Sequence, residues 1–223
     1  MVVRGSSIAF RGKDGFGVIP GNTSGQQFIR TDAYNMYLNL SQLPPDLPRP
    51  VDDGAAAHLP GTVLPAAALS CTDGSIVNLK ELKGCWVIYI YPMTGRPDIS
   101  LPDGWDEITG ARGCTPQSCN FRDHYGELKK LGAEVLGLSA QSTEYQREAR
   151  DHLHLPFQLL SDSALQLKDM LRLPTFTVTG MELFKRLTVI AYNGKIQKVF
   201  YPVFPPDRSA DDVLAWLRSE SKY

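Results

Sequence analysis

Gly113-Cys114-Thr115-Pro116-Gln117-Ser118-Cys119-Asn120-Phe121-Arg122-Asp123 is the stretch on which the fold turns. Proline is tolerated in the first turn of a helix, where its missing N–H would be unpaired in any case. Pro116 therefore marks a helix start and places Cys114 at or just before the N-terminus. Phe121, Tyr125, Leu128 and Leu131 follow at helical spacing and predict a helix over 115–131. Upstream, Trp86-Val-Ile-Tyr-Ile-Tyr91 is a continuous apolar, β-branched and aromatic run ended by Pro92. Such a run fits a central strand buried on both faces. Between the two, residues 93–113 hold Gly95, Pro97, Pro102, Gly104, Gly110 and Gly113. A loop of this length inside a domain is usually a functional lid or a disordered segment.

Further along the chain, Glu134–Ser139 reads as a second buried strand, Thr143–His152 as a helix, Phe157–Leu160 as a short strand and Ser163–Leu171 as a helix. Lys185–Tyr192 and Lys195–Tyr201 flank Asn193-Gly194, the best hairpin turn in the chain. Ser209 is expected to cap a last helix, with Asp211 and Asp212 complementing its dipole. Before the central strand, Ala67–Thr72 and Ser75–Leu79 flank Asp73-Gly74, a second hairpin. The expected class is α/β: a mixed central sheet flanked by helices, in the order of a thioredoxin-like fold, with an N-terminal hairpin extension.

Residues 1–57 read as an N-terminal extension and 58–223 as the domain. Residues 1–35 are rich in Gly, Ser, Asn and Arg without periodicity, as in a poorly ordered tail, and Met36 opens more domain-like sequence, an expected start. Residues 43–60 carry five prolines and read as an extended lead-in. With 23 basic and 24 acidic residues and no basic run, the chain offers nothing for a nucleic-acid backbone. Apolar stretches such as Cys85–Tyr91 are too short to span a bilayer, and the N-terminus lacks the apolar core of a secretory signal. A reducing cytoplasm is the expected location. There, four cysteines are too few for a disulfide scaffold, and a close pair points to catalysis, redox sensing or metal binding.

Unpaired N–H groups and the positive end of the dipole face a cysteine at a helix N-terminus and favour its thiolate, the reactive form. A thiolate attacking a peroxide O–O bond yields sulfenic acid, which a second thiol condenses into a disulfide. Cys119 is that second thiol. Five residues of α-helix give a rise of about 7.5 Å and a rotation of about 140°, hence about 8–9 Å between Cα atoms. A disulfide requires about 4.4–6.8 Å. Oxidation is therefore expected to unwind the start of this helix.

The run from Gly113 to Asp123 resembles the active-site signature of Q-type peroxiredoxins, also called bacterioferritin comigratory proteins, of the redoxin family. Leu82-Lys83-Gly84 with Trp86–Pro92, Glu134–Ser139, Leu159-Leu-Ser-Asp162, Arg186–Ile190 and Asn193-Gly194-Lys195-Ile196 extend the likeness over residues 58–220. The resemblance implies a thiol peroxidase acting on hydrogen peroxide and organic hydroperoxides, with Cys114 peroxidatic and Cys119 resolving through an intrachain disulfide. It implies that Arg186 stabilises the thiolate and polarises the peroxide. It also implies reduction by thioredoxin or a similar dithiol, a monomer or weak homodimer, and no metal or organic cofactor. One departure stands out. The family's pattern is a proline, three residues, a threonine and two more before the cysteine. Here 21 residues separate Pro92 from Cys114, and Ala111 holds the threonine position. Thr94 is expected to supply the missing hydroxyl, with Thr109 as the alternative. The insert, with Arg96 and Trp105, is expected to form a lid.

Other readings stay open from the residues alone. Cys114 and Cys119 are alternatively structural thiols, or zinc ligands with Cys71 and Cys85. Cys71 and Cys85 themselves read as packing residues. Arg186 is alternatively a solvent-facing charge. Arg122-Asp123 reads as a local ion pair or as support for the pocket. His124, His152 and His154 read as solvated helix residues, and Asp162 as a turn former. Rival functions are a thiol–disulfide oxidoreductase, whose chemistry favours Cys-x-x-Cys in place of the four-residue gap between Cys114 and Cys119, and a non-enzymatic redox sensor.

Overall fold

The computed structural model describes residue 40 and residues 42–220. The expectations for residues 1–35 and for a start at Met36 lie outside the described residues. Among the described residues, nine strands run β1 Ala68–Cys71, β2 Ile76–Asn78, β3 Cys85–Ile90, β4 Ala133–Ser139, β5 Gln158–Ser161, β6 Thr175–Val178, β7 Met181–Phe184, β8 Leu187–Tyr192 and β9 Lys195–Phe200. The helices that lie wholly within the described residues are α1 Cys114–Asp123, α2 Tyr125–Lys130, α3 Thr143–His152, α4 Gln166–Met170 and α5 Ser209–Ser219. Seven strands form one mixed sheet in the order β2-β1-β5-β4-β3-β8-β9.

β3 is the central strand that its composition predicts. It pairs in parallel with β4, Val87 opposite Val135, and antiparallel with β8, Ile88 opposite Val189. Successive side chains point to opposite faces. Val87, Tyr89 and Tyr91 therefore enter a core with Phe121 of α1 and Val213 and Leu214 of α5. Ile88 and Ile90 enter a second core with Leu136, Leu138, Leu167 of α4, and Ala56 and Leu59 of the lead-in segment. Both sheet faces are thus covered. Among the described residues, no helix is long and apolar enough to cross a membrane.

The Asn193-Gly194 hairpin forms as read: both residues have positive φ, 48° and 75°, as a two-residue turn matching the strand twist requires. Three local expectations are corrected. The helix read over 115–131 breaks at His124, whose φ and ψ are −98° and 3°. The His124 Nδ1–H donates to the carbonyl of Asn120 at 2.9 Å, beside the His124 backbone N–H, which takes the same carbonyl at 3.1 Å. The helix read over 163–171 begins only at Gln166, because both Asp162 carboxylate oxygens take first-turn N–H groups, from Gln166 at 2.8 Å and Leu167 at 2.9 Å. Ser209 is not a cap: it is the first residue of α5, and its hydroxyl lies inside the core.

The β6–β7 hairpin, turning on Thr179-Gly180 at φ 45° and 81°, is absent from the sequence reading. The alternating Thr175-Phe176-Thr177-Val178 run before that turn is the signal that would have found it. The 93–113 insert is held at several points. Trp105 is buried with Ala111, Val178 and Leu183, tilted against Phe176. Arg96 pairs with Glu148 and lies over the ring of Tyr145, tying the insert to α3.

Candidate active site

Cys114 occupies the first position of α1, and Gly113 caps it at φ 105°. A side chain at Gly113 would place its Cβ 2.3 Å from Pro206 Cγ and 2.9 Å from Leu43 Cδ2, so only glycine fits this start. Cys114 is 3% exposed.

Arg186 directly precedes β8. Because β8 runs antiparallel to β3, its beginning lies beside the end of β3, where Ile90 faces Leu187. The loop from that end leads to α1, and the guanidinium meets the sulfur. Arg186 Nη2 donates to Cys114 Sγ at 3.1 Å, to Ala111 O at 3.0 Å and to Arg112 O at 3.1 Å. Arg186 Nη1 donates to Gln117 Oε1. Gln117 Nε2 donates to the Ser209 hydroxyl at 3.2 Å, which lies 3.3 Å from Thr188 Oγ1. Arg186 is 3% exposed, which removes the reading of a solvent-facing charge. Its acceptors here are carbonyls, an amide oxygen and the sulfur, and only the sulfur can carry a compensating negative charge. The Cys114 thiol also lies 3.6 Å from Ala111 O, to which S–H donates. One nitrogen of a guanidinium fork that two carbonyls and an amide oxygen hold in place thus points at the sulfur.

Cys119 sits half-buried near the middle of α1, and both thiols are free. Burial pushes the Cys119 thiol up, and Arg122 offsets part of that rise.

The family model for redoxins matches residues 59–214. A chloroplastic peroxiredoxin Q of Sedum lineare is 33% identical over 163 residues, 71% of this chain and 77% of that protein. The chain belongs to the Q-type peroxiredoxins. Solved structures agree in fold. Peroxidoxin BcpB of Mycobacterium tuberculosis gives a TM-score of 0.59 at 24% identity, covering 72% of this chain and 97% of that one. A bacterioferritin comigratory protein of Xanthomonas campestris, described for alkyl peroxide reduction, gives 0.53 at 21% identity, covering 78% and 98%. This peroxiredoxin is accordingly a thiol-dependent peroxidase, an oxidoreductase of the thioredoxin-like fold.

The remaining residues of the peroxiredoxin's sequence reading fall in different places. Thr94 is buried, and its N–H and hydroxyl both donate to Gln141 Oε1, at 3.0 and 3.1 Å, while Gln141 Nε2 returns a bond to Thr94 O. It lines a small pocket with Thr115, next to Cys114, and with Tyr145 and His152. Thr109 lines a different pocket, of about 100 Å³, that Arg186 borders. The two candidate hydroxyls thus line different pockets, and Cys114 lines neither.

Cys71 and Cys85 are buried in separate cores, and burial pushes Cys85 up to about 11. Among the described residues, no group of three His, Cys, Asp or Glu side chains stands close enough to hold a metal ion. Arg122 makes the local ion pair with Asp123 at 2.8 Å and donates to Leu153 O at 2.9 Å. His152 and His154 are exposed. His124 is partly exposed, with its Nε2 3.8 Å from Asp211 Oδ1. The sequence reading missed Gln117 and Gln141, both buried amides fixing other site groups. Gln117, at the helix spacing that returns one turn below Cys114, was visible inside the quoted motif.

Proposed function

We propose that Cys114 is the peroxidatic cysteine of this peroxidase, that Arg186 stabilises its thiolate and polarises the hydroperoxide, and that Cys119 resolves the oxidised form as an intrachain disulfide. The observation that carries this reading is the 3.1 Å contact from Arg186 Nη2 to Cys114 Sγ at the mouth of a helix. In the first step the thiolate attacks one oxygen of the O–O bond. That bond breaks, sulfenic acid forms and the leaving alkoxide or hydroxide takes up a proton. In the second step the Cys119 sulfur displaces the sulfenic oxygen, which leaves as water, and the S–S bond forms. Thioredoxin or a similar dithiol then reduces the disulfide. Hydrogen peroxide and organic hydroperoxides are the substrate class, without a metal or organic cofactor. Thr94 is the pocket hydroxyl we favour, since it follows the end of β3 most directly and lies on the Thr115 side of the cysteine. We further place the protein in a reducing compartment, the cytoplasm, as a monomer or weak homodimer with residues 58–223 as its domain.

The test is hydroperoxide consumption coupled to reduced thioredoxin, comparing the wild type with Cys114→Ser and Cys119→Ser. Cys114→Ser is expected to abolish turnover. Cys119→Ser is expected to keep the first oxidation and lose thioredoxin-coupled cycling. A Cys114→Ser variant that turns over normally would overturn the assignment.

A further inference from the structure

The neighbours of Cys119 in α1 are tied to two different elements. On one side, the Tyr89 hydroxyl of β3 donates to Ser118 Oγ at 3.1 Å, in a fully buried setting. On the other, Asn120 reaches across to the start of α5. Its Oδ1 accepts the Ala210 N–H at 2.6 Å, and its Nδ2 donates to Asp211 Oδ2 at 3.1 Å. Arg208, at the cap position of α5, makes no side-chain capping bond. The Asn120 amide therefore does from another helix what a cap residue does locally: it satisfies a first-turn donor.

These ties bear on the step that needs movement. An intact α1 keeps the two cysteine Cα atoms about 8–9 Å apart, beyond the reach of a disulfide. The Cys114 end is wedged, with Gly113 closed in by Pro206 and Leu43. The Cys119 end is half-buried, and the residues on either side of it, Ser118 and Asn120, are held by side-chain bonds. We infer that Asn120 is a positioning residue whose bonds to α5 hold Cys119 back, and so set how fast the oxidised Cys114 is captured. This rests on the reading of Cys119 as the resolving thiol. Two reactions compete for the Cys114 sulfenic acid. Attack by the Cys119 sulfur breaks the S–O bond, forms S–S and releases water. Attack on a second hydroperoxide breaks its O–O bond, oxidises the sulfur to sulfinic acid and releases an alcohol or water. A tighter latch favours the second fate.

The experiment mixes the reduced protein with stepped hydrogen peroxide, quenches with a thiol alkylator and a sulfenic-acid trap, and follows each species by intact mass. For Asn120→Ala, the rate of sulfenic acid formation is expected to stay at the wild-type value. Disulfide formation is expected to rise roughly tenfold, as the loss of one or two hydrogen bonds implies. The peroxide concentration that gives half-conversion to sulfinic acid is expected to rise by the same factor. A purely structural role for Asn120 would lower the melting temperature and leave the disulfide-to-sulfinic ratio alone; that result, or slower disulfide formation, overturns the latch. Tyr89→Phe loosens the other side of Cys119 and is expected to shift the same ratio in the same direction, should Asn120→Ala fail to fold. A wild type that forms no 114–119 disulfide at all refutes the underlying resolving assignment, and is read separately in the wild-type sample.

Discussion

Arg186 and Cys114 lie 72 residues apart in sequence, and Arg186 Nη2 lies 3.1 Å from Cys114 Sγ. The guanidinium is aligned by two insert carbonyls and by Gln117. Replacing Arg186 with Lys keeps a positive charge and discards the fork. We expect the second-order rate of Cys114 oxidation, measured by stopped flow, to fall about 10²-fold or more, the scale seen when one preorganised donor is lost. A loss below threefold would mean that the fork is dispensable.

Gln117 is the hinge between Arg186 and the Ser209–Thr188 hydroxyl pair. Gln117→Leu leaves a buried guanidinium N–H and a buried hydroxyl without their partner. The expected cost is about 1–3 kcal/mol of stability by chemical denaturation, with slower Cys114 oxidation because Arg186 is no longer held. Unchanged stability together with an unchanged rate would remove Gln117 from the site's support.

Trp105 is 3% exposed, in a cluster that includes Ala111, and the neighbouring Asp106 pairs with Arg112 at 3.1 Å. The insert is thus the scaffold of the 109–112 turn that touches Arg186. Trp105→Ala is expected to cost about 3–5 kcal/mol and to slow peroxide turnover as well. Deleting residues 97–107 without any change in peroxide kinetics would show that the turn needs no such support.

Cys71 and Cys85 are 2% and 4% exposed, and burial raises both thiols, Cys85 to about 11. Both are expected to resist iodoacetamide at pH 7.5 in the native protein and to react after unfolding. Labelling of either at the unfolded rate would contradict their burial.

Asp53 ties the lead-in segment to the sheet, accepting from Lys185 Nζ at 2.7 Å and Tyr201 Oη at 2.8 Å. These bonds hold its carboxyl down at about 2, from 3.8. Its folded value is depressed, so its contribution is present above about pH 4 and is lost as pH falls toward 2. The pair is exposed to solvent, and the gain stays below about 1 kcal/mol. Denaturation of the wild type and Asp53→Asn is expected to differ at pH 6 and to converge near pH 2; a constant gap across that range would sink the assignment.

Much of this protein was legible locally. The strand over 86–91, the helix start at Pro116 and the turn at Asn193-Gly194 follow from backbone rules that act over a few residues: side-chain alternation, the missing N–H of proline and the tolerance of Asn-Gly for positive φ. The cysteine motif and its flanks pointed to the chemistry through their resemblance to the Q-type peroxiredoxins. Where the local reading failed, a distant or side-chain partner decided. Asp162 holds the first turn of α4 with both carboxylate oxygens, and the Ser209 hydroxyl accepts from Gln117 Nε2 inside the core in place of capping α5. The order of strands is a global property: only the pairing of β8 against β3 brings Arg186 to the sulfur, and only the packing of α5 against α1 brings Ala210 to Asn120. The amino-acid pattern by itself determined which sulfur sits at a helix mouth, because helix starts are written in neighbouring residues. Which cation, amide and hydroxyls surround that sulfur was decided by tertiary structure, because contacts between residues some seventy to ninety apart depend on how the sheet closes and not on any local preference.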